Sequence, residues 1–177
     1  MKKRFLTIGI VILCMACKCD LADKSYSIFI DNKSELVISS YLALGENGAT
    51  AYPDTTLSFD RKWVGYETKP NNRAYQVLPT FTYEEWFARL SQDTLSIFIF
   101  SQNTLNQYSW FEIQSDYKIL QRYDLSFEDL KKLSDKNGVP IITYPPTEAM
   151  KDMKMYPPYS QYKTLSQKMP RKELYRS

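Results

Sequence analysis

The chain has 177 residues, a formal net charge of +3 and no histidine, and its three cysteines are Cys14, Cys17 and Cys19. These totals exclude serine and cysteine nucleophile systems that depend on histidine, and zinc sites built from histidine or from cysteines in the body of the chain. The five glycines form neither a Walker A motif nor a Gly-x-Gly-x-x-Gly motif. The sequence therefore predicts neither a cofactor nor a metal.

The first 16 residues have the pattern of an export signal. Three basic residues at 2–4 precede an apolar stretch at 5–16, which is too short for a stable membrane anchor of about 20 residues. The stretch ends in Cys14-Met15-Ala16-Cys17, which resembles the lipobox of bacterial lipoproteins. The resemblance implies that residues 1–16 are removed and that Cys17 is lipidated. An ordinary secretory signal peptide is the alternative.

The positive charge of the chain lies in that same segment. Without residues 2–4 the 23 basic side chains fall to 20, which equals the number of acidic ones. The sequence therefore predicts no nucleic-acid partner. We expect a polar tether at 17–25, one globular domain at 26–159, and a basic, flexible tail at 160–177.

The first half of the domain has the alternation of β-structure. Residues 26–31 and 36–44 predict a hairpin around a turn at 32–34. A loop is predicted at 45–56, followed by short strands at 57–59 and 62–66. A helix is then predicted to begin at Thr82, because Thr82 and Glu85 can form a capping box and apolar residues follow at helical spacing.

Residues 93–144 alternate between strand and helix patterns and predict a βαβαβ block. The strands are expected at 93–100, 117–123 and 140–144, and the helices at 104–115 and from Ser126 onwards. The connection at 101–116 is long enough for a crossover between parallel strands. The predicted fold class is α+β or mixed α/β, with the N-terminal hairpin and the βαβαβ block in one mixed sheet and helices packed on it. A short helix is expected at 147–154.

Two kinds of candidate site emerge from the side chains. Tyr52, Trp63 and Tyr66 lie in or near the predicted loop and are candidate ligand-facing aromatics, whereas Trp86 and Trp110 lie on apolar helical faces and are expected in the core. A pair of carboxylates in one cleft would instead support glycoside hydrolysis. No catalytic residue is assigned.

A three-residue stretch, Asp54-Thr55-Thr56, resembles the acceptor motif for O-glycosylation in some Gram-negative gut anaerobes. Thr55 is the residue that the resemblance implies is modified. A second match, Asp93-Thr94-Leu95, begins the predicted buried strand and is not expected to be modified.

A wider resemblance covers most of the chain after the signal segment. It rests on Asp93–Phe100, on Tyr117–Leu130, on Ile142–Pro146 and on Met155–Tyr159. Together they resemble a family of small uncharacterised lipoproteins of Bacteroides-type bacteria. The resemblance implies attachment to the outer membrane and brings no known activity or site residues.

Taken together, the sequence predicts a lipid-anchored envelope protein that is a non-catalytic binding or structural module. Its expected partners are the membrane, through the lipid, and an envelope protein or glycan. The alternative is a carboxylate-based hydrolase acting on an envelope or dietary glycan.

Overall fold

The computed structural model describes residues 26–44, 51–65, 67–78 and 81–162. The predicted signal peptide, Cys17, the tether, Tyr66 and residues 163–177 of the tail lie outside the described residues. Within the described ranges, no helix is both long enough and apolar enough to cross a membrane.

The strands and helices are short, and capping residues begin several of the helices. The strands are β1 (Tyr26–Asn32), β2 (Ile38–Ala43), β3 (Arg73–Leu78), β4 (Thr94–Ser101), β5 (Gln121–Ser126), β6 (Ile141–Tyr144) and β7 (Lys154–Tyr156). The α-helices are α1 (Tyr83–Phe87), α2 (Gln102–Gln107), α3 (Trp110–Ser115) and α4 (Phe127–Lys132). Thr82, Ser109 and Ser126 each close a capping box, at the start of α1, α3 and α4 respectively.

The strands form two sheets. A three-stranded sheet has the order β3-β1-β6, in which β1 is antiparallel to β3 and parallel to β6. A four-stranded sheet has the order β2-β4-β5-β7 and is antiparallel throughout. Each sheet thus has one or two central strands whose apolar side chains can be covered on both faces.

The two sheets pack face to face over the main core. Ile28, Ile30 and Ile142 of the three-stranded sheet meet Ile97 and Leu125 of the four-stranded sheet, and all five are fully buried. Burial of each such side chain stabilises the fold by about 1.5–3 kcal/mol. Helices α1 and α4 complete this core with Trp86, Phe87 and Leu130.

A second core lies on the opposite face of the four-stranded sheet. Phe98 and Phe100 of β4 pack there against Leu57 and Phe59, and α2 and α3 add Leu105 and Ile113. The apolar run of β4 therefore supplies both cores from its two faces, which confirms the prediction that this strand is covered on both sides.

The α+β fold class, with helices packed on a sheet, is confirmed, but the single mixed sheet is wrong. The predicted hairpin does not form, because β1 and β2 belong to different sheets. Asn32 lies where the chain passes from one sheet to the other. Its Nδ2 donates to the carbonyl of Leu36 at 2.7 Å and to the carbonyl of Thr68 at 2.9 Å. Its Oδ1 accepts from the amide of Ser34. This buried side chain replaces the cross-strand bonds of a hairpin turn.

The parallel crossover within residues 93–123 is also wrong, since β4 and β5 are antiparallel. The predicted helix at 104–115 is divided in two, because Ser109 caps a new helix after Tyr108 leaves helical geometry. Helices α2 and α3 bring the chain back to the C-terminal end of β4, where Ile99 pairs with Gln121 of β5. Phe111, expected on the apolar stripe, is 75% exposed.

Three local predictions need correction as well. Where short strands are expected at 57–59 and 62–66, the described residues 57–65 are instead loop and a 3-10 helix, Arg61–Trp63, which Asp60 caps. The helix expected at 147–154 is a 3-10 turn, Glu148–Met150, followed by strand β7. Strand β3 was not predicted at all.

Candidate functional site

A buried ion pair lies on the face of the four-stranded sheet that carries the second core. Ser96, Asp124 and Lys154 are direct neighbours across β4, β5 and β7. The Asp124 side chain has no exposed surface, and its Oδ2 accepts from Nε of Arg122 at 3.1 Å. Its Oδ1 accepts from the Ser96 hydroxyl at 2.6 Å. Both carboxylate oxygens are thus hydrogen-bonded, which offsets the cost of burying the charge.

Besides its ion pair with Asp124, Arg122 contacts two tyrosines. Its side chain is 13% exposed, its Nη1 donates to the Tyr117 hydroxyl at 2.5 Å, and its guanidinium carbon lies 5.8 Å from the centre of the Tyr156 ring. The Tyr117 and Tyr156 rings are themselves 5.8 Å apart. Burial raises the pKa of Tyr117 despite the nearby Arg122 charge, so the phenol remains protonated at neutral pH.

Tyr117 occupies a backbone position that normally favours glycine. It follows α3 with a φ of 52°, and the amides of Lys118 and Tyr117 donate back to the carbonyls of Ile113 and Gln114 at 3.0 and 3.4 Å. This is a Schellman motif, in which the left-handed residue is most often glycine. A side chain there costs about 1–2 kcal/mol, and the contacts of Tyr117 with Arg122 and Tyr156 offset that cost.

Strand β7, at the edge of the four-stranded sheet, places two more side chains beside Arg122 and Asp124. Tyr156 is 49% exposed and lies opposite Arg122. Lys154 lies opposite Asp124, and its Nζ donates to the Tyr52 hydroxyl at 2.5 Å and sits 4.5 Å from the centre of that ring. We call the set of Tyr52, Ser96, Tyr117, Arg122, Asp124, Lys154 and Tyr156 the tyrosine–arginine cluster.

The cluster is suited to binding. It combines three tyrosines, whose rings can stack on a ligand and whose hydroxyls can hydrogen-bond to it, with two cations held in fixed places. The buried Asp124–Arg122 pair fixes the inner side chains, while Tyr156 and Lys154 face solvent. Preorganised aromatic and cationic side chains are common at binding hot spots.

The three predicted aromatics do not form one group. Tyr52 belongs to the tyrosine–arginine cluster and is partly buried. Trp63 is 51% exposed, and the ammonium of Lys62 lies 5.6 Å from its ring centre. Among the described residues no ring contact joins Tyr52 to Trp63, and Tyr66 lies outside them. A ligand-facing role for these side chains stays a prediction.

The other tryptophans lie as expected. Trp86 is 4% exposed in the main core, and Trp110 packs on the second core and donates from Nε1 to the Phe59 carbonyl at 2.9 Å. Four residues of the cluster are not predicted from sequence as site residues: Tyr117, Arg122, Lys154 and Tyr156. The spacing of two between Arg122 and Asp124, and again between Lys154 and Tyr156, was the available signal, since residues i and i+2 share a strand face.

Thr55 is partly exposed within the described loop residues 51–60. The carboxylate of Asp54 accepts from the amide of Thr56 at 2.9 Å and from its hydroxyl at 2.7 Å. Glycosylation of Thr55 stays a prediction, as does lipidation of Cys17, which lies outside the described residues.

Four carboxylates of the described residues have a pKa that departs clearly from its ordinary value, and in all four it is lowered. Hydrogen bonds lower the pKa of Asp60, Glu112, Asp116 and Asp135, whereas a glycosidase general acid needs a raised pKa. Asp135 lines a cleft of about 440 Å³ together with Glu84, Tyr83 and Phe127. Its carboxylate accepts from the amides of Asn137 and Val139, so it serves a turn.

No group of three or more histidine, cysteine, aspartate or glutamate side chains within the described ranges could hold a metal ion. The described residues thus offer polar and aromatic binding groups and no cluster of metal ligands.

Comparisons with known proteins add no relative. No family model matches the chain, and neither the curated proteins nor the solved structures contain a match. Membership of the family of small Bacteroides-type lipoproteins stays a prediction.

Proposed function

We propose that the protein is a lipid-anchored component of the cell envelope, attached to the outer membrane, and that it acts as a non-catalytic binding module. Its ligand is a glycan of the envelope, and the ligand contacts the tyrosine–arginine cluster. The observation that carries this proposal is the exposed pair of Tyr156 and Lys154 on one strand face. Tyr156 packs on Arg122, which is fixed by its buried ion pair with Asp124, and Lys154 donates to Tyr52.

The chemistry of the cluster favours a glycan. Sugars present apolar C–H faces together with hydroxyl groups, which fit aromatic rings flanked by hydrogen-bonding groups. A side chain fixed before binding loses little entropy when the ligand arrives. Tyr156 is held in this way by two neighbours. The ring centre of Tyr117 and the guanidinium carbon of Arg122 each lie 5.8 Å from the ring centre of Tyr156.

The carboxylate hydrolase has weaker support. It requires two acids about 5–9.5 Å apart in one cleft, one of them with a raised pKa. In the tyrosine–arginine cluster Asp124 is the only acid, and it is enclosed and paired with Arg122. In the cleft beside α1 and α4, the pKa of Asp135 is lowered.

The binding proposal is tested with the purified, detergent-solubilised protein and polysaccharide fractions of the envelope, by isothermal titration calorimetry. Replacing Tyr156 by alanine removes the exposed ring. We expect the affinity to fall by about 5-fold to 150-fold, as for loss of one stacking or hot-spot aromatic worth about 1–3 kcal/mol. Tyr75→Ala is the matched control, because Tyr75 is 64% exposed on the other sheet. Equal affinity of the two variants would contradict the proposal.

The lipid anchor is tested separately by fractionation. Cys17→Ala removes the only residue that the lipobox resemblance marks for acylation, so we expect the protein to leave the outer-membrane fraction. Retention in the outer-membrane fraction equal to that of the unaltered protein would refute the anchor and would leave the binding proposal unaffected.

A further inference from the structure

We propose that the glycan bound by the tyrosine–arginine cluster is acidic, with its acidic group at the Lys154 ammonium and a sugar ring against Tyr156. This inference rests on the proposed function and adds the chemical class of the ligand. It follows from the state of Lys154, from the setting of Tyr156 and from the spacing between them.

Lys154 is oriented but not neutralised. Its Nζ donates one of three N–H groups to the Tyr52 hydroxyl, which leaves two for a ligand. No carboxylate lies within 4.0 Å of this ammonium in the part of the chain that the structure describes. The acid directly across from it, Asp124, is already paired with Arg122 at 3.1 Å. The charges of Arg122 and Asp124 therefore offset each other, and the positive charge of the exposed Lys154 remains.

Tyr156 is supported from the protein side. Its ring contacts the ring of Tyr117 and the guanidinium of Arg122. The residue is nevertheless 49% exposed to solvent. A ring held on one side and open on another is a stacking platform for a sugar.

The two groups are spaced for one sugar unit. Lys154 and Tyr156 are residues i and i+2 of β7, so they project from the same face about 7 Å apart. One sugar ring and its exocyclic acidic group can bridge that distance. A neutral sugar would leave the Lys154 ammonium without a charged partner, whereas a carboxylate or sulfate would form a charge-assisted hydrogen bond with it.

The test compares pairs of probes that share a sugar backbone and differ in whether its acidic groups are charged. The detergent-solubilised full chain is titrated with oligogalacturonate and with its methyl ester, and with a sulfated galactan oligosaccharide and its desulfated form. We expect at least one acidic form to bind about tenfold more tightly than its neutral counterpart, and salt to weaken that preference. Lys154→Met should abolish the preference. Lys151→Met, which removes an exposed lysine near Glu148, should keep it.

The outcomes separate the two proposals. Equal binding of acidic and neutral forms, with loss of both in Tyr156→Ala, overturns the acidic ligand and leaves the binding module intact. A preference that persists in Lys154→Met also overturns the acidic site. Failure of all four probes to bind overturns this inference, while the envelope fractions decide the proposed function. Glycerol phosphate, a mimic of a lipid headgroup, should compete weakly; competition as strong as that of the acidic saccharide would assign the site to headgroups.

Discussion

At the scale of single residues, Asp124 holds the tyrosine–arginine cluster together. Its enclosed carboxylate accepts from both Ser96 and Arg122, and Arg122 in turn donates to Tyr117. Removal of one partner from a buried pair leaves the other charge without compensation, which costs more than the pair contributes. The position of Tyr117 and the support of Tyr156 both depend on this carboxylate.

We therefore expect Asp124→Ala to lower the free energy of unfolding by about 3–5 kcal/mol. The control is Asp116→Ala, because Asp116 pairs with Lys118 at 2.8 Å on the surface and is 57% exposed. An exposed pair contributes far less than a buried one, because water and salt screen its charges. Urea denaturation of both variants measures the difference. Similar decreases in the free energy of unfolding would show that the buried pair stabilises the fold no more than the exposed pair.

Residue-level features were predictable where a short pattern fixes them. The capping residue Thr82 and the core position of Trp86 could be read from spacing alone. Tyr117 could not, because its left-handed backbone depends on where α3 ends, and the predicted strand at 117–123 placed it in extended backbone.

At the scale of elements, local hydrogen bonds decide where each helix begins. The Thr82 hydroxyl accepts from the amide of Glu85 at 3.2 Å, and the Glu85 carboxylate accepts from the amide of Thr82 at 2.9 Å. Helix α1 has five residues, too few to be stable alone, so this cap and the burial of Trp86 and Phe87 both matter.

Thr82→Ala should lower the free energy of unfolding by about 1 kcal/mol, because it leaves an amide of the first turn without its acceptor. Thr147→Ala is the matched control, since Thr147 precedes a 3-10 helix and makes no side-chain capping bond there. Thermal denaturation distinguishes them. Equal melting temperatures for the two variants would disprove the role of the cap.

The choice of strand partners was much less predictable than the helix starts. The buried strand β4 followed from its apolar run, but its antiparallel pairing with β5 depends on the break at Tyr108 and Ser109. The division into two sheets depends on Asn32, whose bond to Thr68 joins residues 36 positions apart. Periodicity within a window contains no information about such distant contacts.

At the scale of the whole molecule, titration sets the pH limits of stability. On the acid side, hydrogen bonds lower the pKa of Asp60, Glu112, Asp116 and Asp135 below their unfolded values of 3.8 or 4.5. Their contribution is present above those values and is lost as the pH falls through the lowered folded pKa.

On the alkaline side, burial raises the pKa of Tyr41 from 10.0 to about 12. Between these values the unfolded chain releases the proton first. The contribution of Tyr41 to stability is therefore constant below about pH 10 and falls as the pH rises towards 12. Tyr41→Phe, which keeps the ring stacked 3.6 Å from that of Phe59, should lose less stability over this window. Denaturation midpoints at both ends of the window measure it, with Tyr75→Phe as the exposed control. An unchanged loss in Tyr41→Phe would contradict the assignment.

The binding surface could be predicted only in part, because it is assembled from distant segments. Tyr52 was identified from its loop, yet it meets Lys154 across 102 positions of sequence. Arg122 and Tyr156 come together through the pairing of β5 with β7, where a helix was expected. The aromatic excess of the sequence indicated binding but not where the rings would meet.

The most direct test of the tyrosine–arginine cluster as the binding surface is tyrosine-selective NMR during titration with envelope glycan. We expect the resonances of Tyr52, Tyr117 and Tyr156 to shift together and to saturate with one dissociation constant. The resonance of Tyr75, exposed on the other sheet, should remain in place. Saturable shifts at Tyr75 with none at Tyr156, or no saturable shift at any tyrosine, would contradict the account.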